Sequence, residues 1–309
     1  MYADNITLSY IDKMDIPFVI ILLSASFIIC SVVAFTIDPS PSHPSQLQKQ
    51  RISIKREPNF HEVAHKMGKT VLRPGGSEAT KHIQAMADIH QGDSVLELSA
   101  GLGISGIELA QKYGANVLIT DIDTSRLDKV TDRINALGIS NLVSVKKVDM
   151  FDIDSDLGSE AKFDVAQTEA SLTHYPRSRK RQLFNGIAEH ADKFILHEIC
   201  FKTNDTTSQL SAAKDMSKVL NIGFKPETTE IWQQLLADAG YTNIEHVSTG
   251  DLAVLNPISL IKDEGLIGFA KIVFNVATHP YERSRMMAVR NEISKHSNDL
   301  GYITIVASK

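Results

Sequence analysis

VLELSAGLGISGIELA, residues 95–110, joins an apolar strand-like run to a helix-like run through a turn with glycines at 101, 103 and 106. Glycine lets the backbone enter left-handed conformations and lets a ligand lie against the main chain. The helix that follows presents unpaired N–H groups to whatever fills the turn, which is the form of a nucleotide-type binding site. Read literally, Gly101, Gly103 and Gly106 spell GxGxxG, and Asp121 follows twenty positions after Gly101, as a nicotinamide fingerprint requires. Glu97 breaks with that fingerprint. It stands four positions before Gly101, where a dinucleotide fold holds an apolar core residue, and a carboxylate there calls for a positively charged ligand group.

Outward from this turn, strand-like and helix-like runs alternate at short intervals, the pattern of a parallel sheet covered on both faces. The strands are SVLELSA (94–100), NVLITDID (116–123), LVSVKKVD (142–149), FDVAQTEA (163–170) and KFILHEIC (193–200). ISGIELAQKY has apolar residues at helical spacing, and TSRLDKVTDRINALG opens on a capping-type Thr124 and closes at Gly138. Further on, IWQQLLADAGYTNIEHVSTG reads as a helix ending at Gly240 and then a strand, and GYITIVASK as a last alternating strand. The expected fold is α/β: a doubly wound, Rossmann-like, seven-stranded sheet with an antiparallel last strand, a helical lid and a helical insertion.

The pattern ExSxGxG, an acid ending the second strand (Asp121) and VDM ending the third (Asp149, Met150) resembles the class I S-adenosylmethionine-dependent methyltransferases. The resemblance spans about residues 59–309. The resemblance is closer to the branch often labelled methyltransferase type 11, which also includes enzymes of ubiquinone and menaquinone synthesis. NFHEVAHKMGKTVLRPGGSEAT, IKDEGLIGFAKIVFNV and LGYITIVASK are similar to small bacterial members of that branch. Ser99 departs from it, since the common pattern has Gly there. The resemblance implies S-adenosyl-L-methionine as cofactor. Glu97 would stabilise the methionine ammonium, and Ser99, Ala100, Gly101 and Gly103 would lie against the methionine and ribose. Asp121, with Ile122 beside it, would accept the ribose hydroxyls, a bidentate use of a carboxylate. Asp149 would accept the adenine amino group while Met150 covers a ring face with polarizable sulfur, a core position being its other reading. Arg73, Gly75 and Gly76 of LRPGG would cover the cofactor's mouth or form a plain turn. Asp123 falls where a helix cap is expected.

EASLTHYPRSRKRQLF follows the fourth strand, and in class I enzymes this corner abuts the transferring methyl group. Glu169, His174 and Tyr175 are therefore the candidates for acceptor contact and catalysis. A histidine there could take a proton from an oxygen or nitrogen acceptor, because imidazole titrates near working pH. Arg177, Arg179, Lys180 and Arg181 read as the solvated start of a helix. His61 and His65 share one helical face at four-residue spacing, but with no third ligand nearby they read as part of a lid helix rather than a metal site. Residues 257–299 read as a helical insertion that walls the acceptor pocket, with Lys262, Asp263, Glu264 and Lys271 interrupting it too often for a bilayer span.

Residues 16–37, IPFVIILLSASFIICSVVAFTI, are uncharged and long enough to cross roughly 30 Å of hydrocarbon. The expected organisation is a tail (1–15), a transmembrane helix (16–37), a Pro- and Ser-rich linker (38–58) and a methyltransferase domain (59–309). Lys49, Arg51, Lys55 and Arg56 flank the helix on its C-terminal side, which predicts a single-pass membrane protein whose catalytic domain faces the cytoplasm. A formal charge of -5 from 32 basic and 37 acidic side chains gives no field favouring nucleic acid. Two cysteines, Cys30 and Cys200, are too few and too badly placed for a disulfide framework. The function expected is methyl transfer to a small-molecule acceptor by in-line displacement in a closed pocket, with a lipophilic acceptor a hypothesis drawn from the tether. The alternatives are an NAD(P)-dependent oxidoreductase and a non-catalytic S-adenosylmethionine-binding protein.

Overall fold

The structure is a computed structural model that describes residues 57–309, which form one compact unit. The transmembrane helix expected over 16–37 and most of the linker lie outside the described residues. Among the described residues no helix is long and apolar enough to cross a membrane.

The chain begins with α1 (Phe60–Lys66) and α2 (Gly76–Met86), then alternates β1 (Ser94–Leu98), α3 (Ile104–Tyr113), β2 (Asn116–Asp121), α4 (Thr124–Leu137), β3 (Val143–Lys147), α5 (Ile153–Leu157), β4 (Phe163–Glu169), α6 (Arg177–His190) and β5 (Ala191–Phe201). It continues through α7 (Thr206–Leu220), β6 (Glu227–Thr228), α8 (Thr229–Asp238), β7 (Asn243–Asp251), α9 (Pro257–Thr278), α10 (Pro280–Lys295) and β8 (Leu300–Ser308). The sheet order is β3-β2-β1-β4-β5-β8-β7, with β6 paired to β5. Strands β1 to β5 are mutually parallel, and β8 enters antiparallel between β5 and β7. The sheet therefore has eight strands rather than seven. The extra one, β6, is two residues long and falls below any periodicity signal in sequence.

Alternation along β1 sends Val95 and Leu96 to opposite faces. Leu96 and Leu98 join Phe184, Phe194 and Trp232 on one side, while Val95 joins Ile107, Ile119 and Val130 on the other. Glu97, two residues from Val95, shares the second face and is nonetheless buried. A third cluster packs α1, α7 and α10 together through Phe60, Met67, Met216, Leu220, Met286 and Val289. These helices cap one side of the sheet, so the lid and the insertion expected from the sequence share one layer.

Local signals explain the helix ends. Asp123, not Thr124, caps α4 by accepting from the Ser125 N–H, and Gly138 closes it in a left-handed conformation. Helix α7 escaped the sequence reading although Ala212, Met216 and Leu220 bury one face at four-residue spacing behind an Asp205 cap. Lys180 is not solvated as expected. It is fully buried, its Nζ lies 3.1 Å from Glu227 Oε1 and 4.7 Å from the Trp232 ring centroid, and Arg177 reaches the same carboxylate at 2.6 Å. The basic run thus anchors β6 through one paired acid, because a buried ammonium needs a partner.

Candidate active site

After β1 the chain turns through Ser99 and Gly101, both left-handed, with φ of 55° and 59°. A non-glycine residue there carries strain, and such strain gathers at functional turns. A side chain added at Gly101 would meet nothing within 4 Å, because that side of the turn opens into a cleft of about 430 Å³. That volume lies within the range of small-ligand sites. Glu97, Ser99, Ala100, Gly101, Ser105, Glu169, His174 and Tyr175 line it.

Glu97 is the site's electrostatic anomaly. Its Oε2 is buried without a hydrogen-bond partner. Burial, reinforced by the nearby Glu169 charge, pushes its carboxyl up to about 8. Gly106 matters through close approach, since a Cβ there would stand 2.2 Å from that same oxygen. The third glycine of the motif therefore makes room for an acid. An orphaned buried acceptor costs on the order of 1–3 kcal/mol, and a cationic group entering the cleft is what would offset that cost.

Glu169 behaves oppositely. Burial alone would raise its carboxyl, but Arg73, His197 and Thr80 together draw it down to about 2. Arg73 is buried, with its guanidinium 3.4 Å from Glu169 and 2.6 Å from Glu108. Ser105 Oγ donates to Glu169 at 2.7 Å, and His197 Nδ1 lies 2.6 Å from the other oxygen. His197 Nε2 accepts from the Gly75 N–H at 3.0 Å. That acceptor role places the ring proton on Nδ1, which donates to Glu169. LRPGG is thereby fastened to the sheet: Arg73 and Gly75 hold the rim, and Gly76 opens α2. Glu169, a candidate for acceptor contact, is the centre of this network.

Consecutive residues of β5 act on opposite faces. Glu198, fully buried, accepts from the N–H groups of Ser171 and Leu172 at 2.7 and 2.6 Å with one oxygen. Its other oxygen takes the Thr173 N–H at 3.2 Å and the Thr173 hydroxyl at 2.7 Å. One carboxylate thus shapes the loop that presents His174 and Tyr175. Sequence reasoning missed both His197 and Glu198, yet two ionisable residues inside the apolar strand KFILHEIC were a signal, since such groups are buried only with partners.

His174 Nδ1 donates to the Gly223 carbonyl at 2.8 Å, and its Nε2 lies 3.2 Å from His61 Nε2. Burial, with His174 and His65 adding to it, pushes His61 down to about 3. Both rings line the cleft, as does His65, so α1 is a lid over it. Among the described residues neither His61 nor His65 belongs to a group able to hold a metal ion. Beyond the His61–His174 pair lies a smaller apolar chamber of about 50 Å³ walled by Phe60, Leu72, Leu220, Phe224 and Val289. His61, Leu72, Ala170 and His174 border both spaces. Of the insertion, α10 reaches the chamber, through Val289 and Ile293.

The remaining predicted residues stand at the strand ends without lining the cleft. Asp121 is buried and accepts the Gly101 N–H and the Asp123 N–H, one on each oxygen, both at 2.9 Å. Arg126 lies 3.7 Å from it and faces the cleft. Ile122 is exposed, Asp149 accepts from the Phe151 N–H, and Met150 packs in the core cluster that contains Leu98 and Ile153.

A seven-plus-one sheet with β8 antiparallel beside β5, a glycine turn after β1 and a buried acid beneath it define the class I methyltransferase fold. Residues 95–193 match a family model described as a methyltransferase domain. The chain carries a methyltransferase domain over those residues. Over 255 residues it is 27% identical to a Haemophilus influenzae protein described as uncharacterized, covering 81% of this chain and 97% of that one. Over 117 residues it is 26% identical to a phosphoethanolamine N-methyltransferase of Plasmodium falciparum, covering 38% of this chain and 42% of that one, so it spans less than half of that relative. A solved S-adenosylmethionine-dependent methyltransferase from Thiobacillus denitrificans, in complex with S-adenosyl-L-homocysteine, superposes with a TM-score of 0.57 at 14% identity. That superposition covers 82% of this chain and 99% of the other.

Proposed function

We propose that this protein methylates a small-molecule acceptor whose apolar portion lies in the chamber beyond His61 and His174, and that residues 16–37 tether it to a membrane with the catalytic domain on the cytoplasmic side. The observation that carries the reading is the unpartnered buried Oε2 of Glu97 at the edge of the cleft. A sulfonium cofactor bearing an ammonium group would satisfy that oxygen. The ionised pyrophosphate of a pyridine dinucleotide has no N–H or O–H to donate to that oxygen.

When bound, S-adenosylmethionine supplies a methyl group made electrophilic by the sulfonium. Glu97 would hold its ammonium, and the turn Ser99–Ala100–Gly101–Leu102–Gly103 would lie along it. Asp121 would take the ribose, since a carboxylate offers about four acceptor positions and two are spent on backbone N–H groups. Asp149, Ile122 and Met150 complete the expected adenosine set, and Arg73, Gly75 and Gly76 form the rim.

The chain's own contribution is alignment, exclusion of water and proton handling. His174 keeps its proton on Nδ1 against Gly223, so its Nε2 accepts the Nε2–H of His61. His61 Nδ1 is then the open lone pair. A proton taken there from an oxygen or nitrogen acceptor passes through His61 Nε2 to His174 Nε2, and the charge ends on the ring anchored to the Gly223 carbonyl. Tyr175, held edge-on to Phe151 at 4.8 Å, closes the wall. The apolar chamber lining supports a lipophilic acceptor.

The test is incubation of the full chain with isotopically labelled methyl donor and a metabolite extract. A labelled small-molecule product supports the reading. Donor binding without any labelled product, or saturable NAD(P)H fluorescence changes instead, would replace it.

A further inference from the structure

The second half of α9 conflicts with its surroundings. Gly265, with φ 70° and ψ 172°, breaks the helix. The stretch beyond it, LIGFAKIVFNVA (266–277), is apolar on every side apart from Lys271 and Asn275. A helix of that composition is ordinarily enclosed by protein or lipid. Here Ile272 is buried toward the cap, whereas Leu266, Ile267 and Phe274 are 59%, 88% and 66% exposed. Ile267, Ala270 and Phe274 fall at three- and four-residue spacing, so they form one stripe, and the exposed Tyr281 at the start of α10 extends it.

Within α9 and α10 the charges are sorted by sign, while the exposed acids Glu78 and Glu57 of neighbouring segments pair with Lys262 and Arg285. On α9 and α10 every exposed charged residue is basic: Lys262, Lys271, Arg283, Arg290 and Lys295. The acids of the same helices are turned inward or paired. Asp263 and Glu264 are buried against Lys69 and Thr70, and Glu282 is buried beside Lys66. Lys271, Arg283 and Arg290 have no carboxylate partner among the described residues. An exposed apolar stripe flanked by cations is the signature of a surface that lies in the headgroup layer of an anionic bilayer.

The chain's path agrees with that occupant. Glu57, the first described residue, is held at the start of α10, 3.2 Å from the Tyr281 hydroxyl and 3.4 Å from Arg285. The described chain therefore enters the domain beside the stripe. Residues 38–56 could span about 65 Å at most, which allows the domain to rest on the surface to which it is tied.

We infer that the α9–α10 face, centred on Leu266, Ile267 and Phe274, docks on an anionic lipid surface. The inference deepens the tether proposed above, which supplies the direction of approach. It also gives the first half of α9 a purpose. Asp263 accepts the Ser77 N–H and Glu264 the Thr70 N–H, both at 2.8 Å, and Thr70 lines the cleft. The helix that meets the lipid is thus the one that grips the cleft rim.

Fluorescence tests this on the full chain. Trp232 is the only native tryptophan and is fully buried, so Phe274→Trp adds one reporter on the stripe. The protein is reconstituted in phosphatidylcholine–phosphatidylglycerol vesicles with and without brominated acyl chains. The expected result is that bromine quenches at least half of the added emission, and that Ile267→Glu in the same background cuts this quenching at least twofold. Added emission untouched by bromine overturns the docking face, whether acrylamide reaches the reporter, as on a surface left in water, or does not, as under a second protein copy. Alkaline carbonate separates the two ideas. A chain that is stripped by carbonate yet quenched before stripping keeps the docking face and loses the spanning tether. A chain that resists stripping without quenching keeps the tether and loses the face.

Discussion

Cofactor binding should release a proton from Glu97, and the affinity should record it. With its carboxyl near 8, Glu97 is about nine-tenths protonated in the empty protein at pH 7. Pairing with an ammonium requires the carboxylate, so binding expels that proton. The ligand's own α-ammonium, that of a free amino acid beside its own carboxylate, stays charged through pH 8, so the Glu97 carboxylate fraction sets the profile. That fraction rises roughly fiftyfold from pH 6 to pH 8 and levels off above it. Titration calorimetry of S-adenosylhomocysteine in buffers of different ionisation enthalpy reads both quantities, proton release and affinity. In Glu97→Gln the rising limb should vanish, and affinity at pH 8 should fall by about 1.5–3 kcal/mol, the worth of hydrogen bonds to a charged group. The empty protein carries the same signature in its stability. Glu97 titrates near 4.5 when unfolded and about 8 when folded, so its contribution is whole below the unfolded value and is lost as pH rises toward 8. Glu97→Gln should therefore melt higher than the native chain at pH 8 and alike at pH 4. Constant affinity from pH 6 to 8, with no proton released, would refute the reasoning.

Three further outcomes follow from the site. Asp121→Ala should cost about 1.5–3 kcal/mol of S-adenosylhomocysteine affinity by calorimetry, because it removes both the ribose acceptor and the oxygen that pins the Gly101 N–H. His174→Ala should lower kcat by roughly 10²–10⁴ on an oxygen or nitrogen acceptor, with donor binding within twofold of native. Glu198→Ala should strand three buried N–H groups of the loop at on the order of 1 kcal/mol each or more. Thermal denaturation should then show Tm falling by about 6–12 °C.

The parts of this molecule readable from sequence are those set by local rules. The β1 turn, the α3 and α4 boundaries and the five parallel strands follow from hydrophobic period and helix termini, and each lies within two or three residues of its expected place. Glu97 was legible because an acid in an apolar strand contradicts its neighbours. What could not be read depends on the topology that brings distant segments together. Arg73 and His197 meet Glu169 only once β4 and β5 lie side by side and α2 crosses them. Lys180 appears solvated in RSRKR, and only its position opposite Glu227 and Trp232 makes it a core residue. The apolar chamber is likewise assembled from α1, α7 and α10, which are far apart in sequence and one of which passed unnoticed.

The placement of β8 has a consequence for how the protein comes into being. It pairs with β5 from Lys193↔Ser308 to Phe201↔Leu300, and with β7 on its other side. During synthesis, β5 is therefore complete about a hundred residues before the strand that covers its edge emerges. In that interval the nascent chain presents an open, aliphatic β-edge, FILHEICF, ready to pair with any other extended segment. Such long-range strand closure is slow, so newly made chains should depend on chaperones for the time it takes the final strand to arrive.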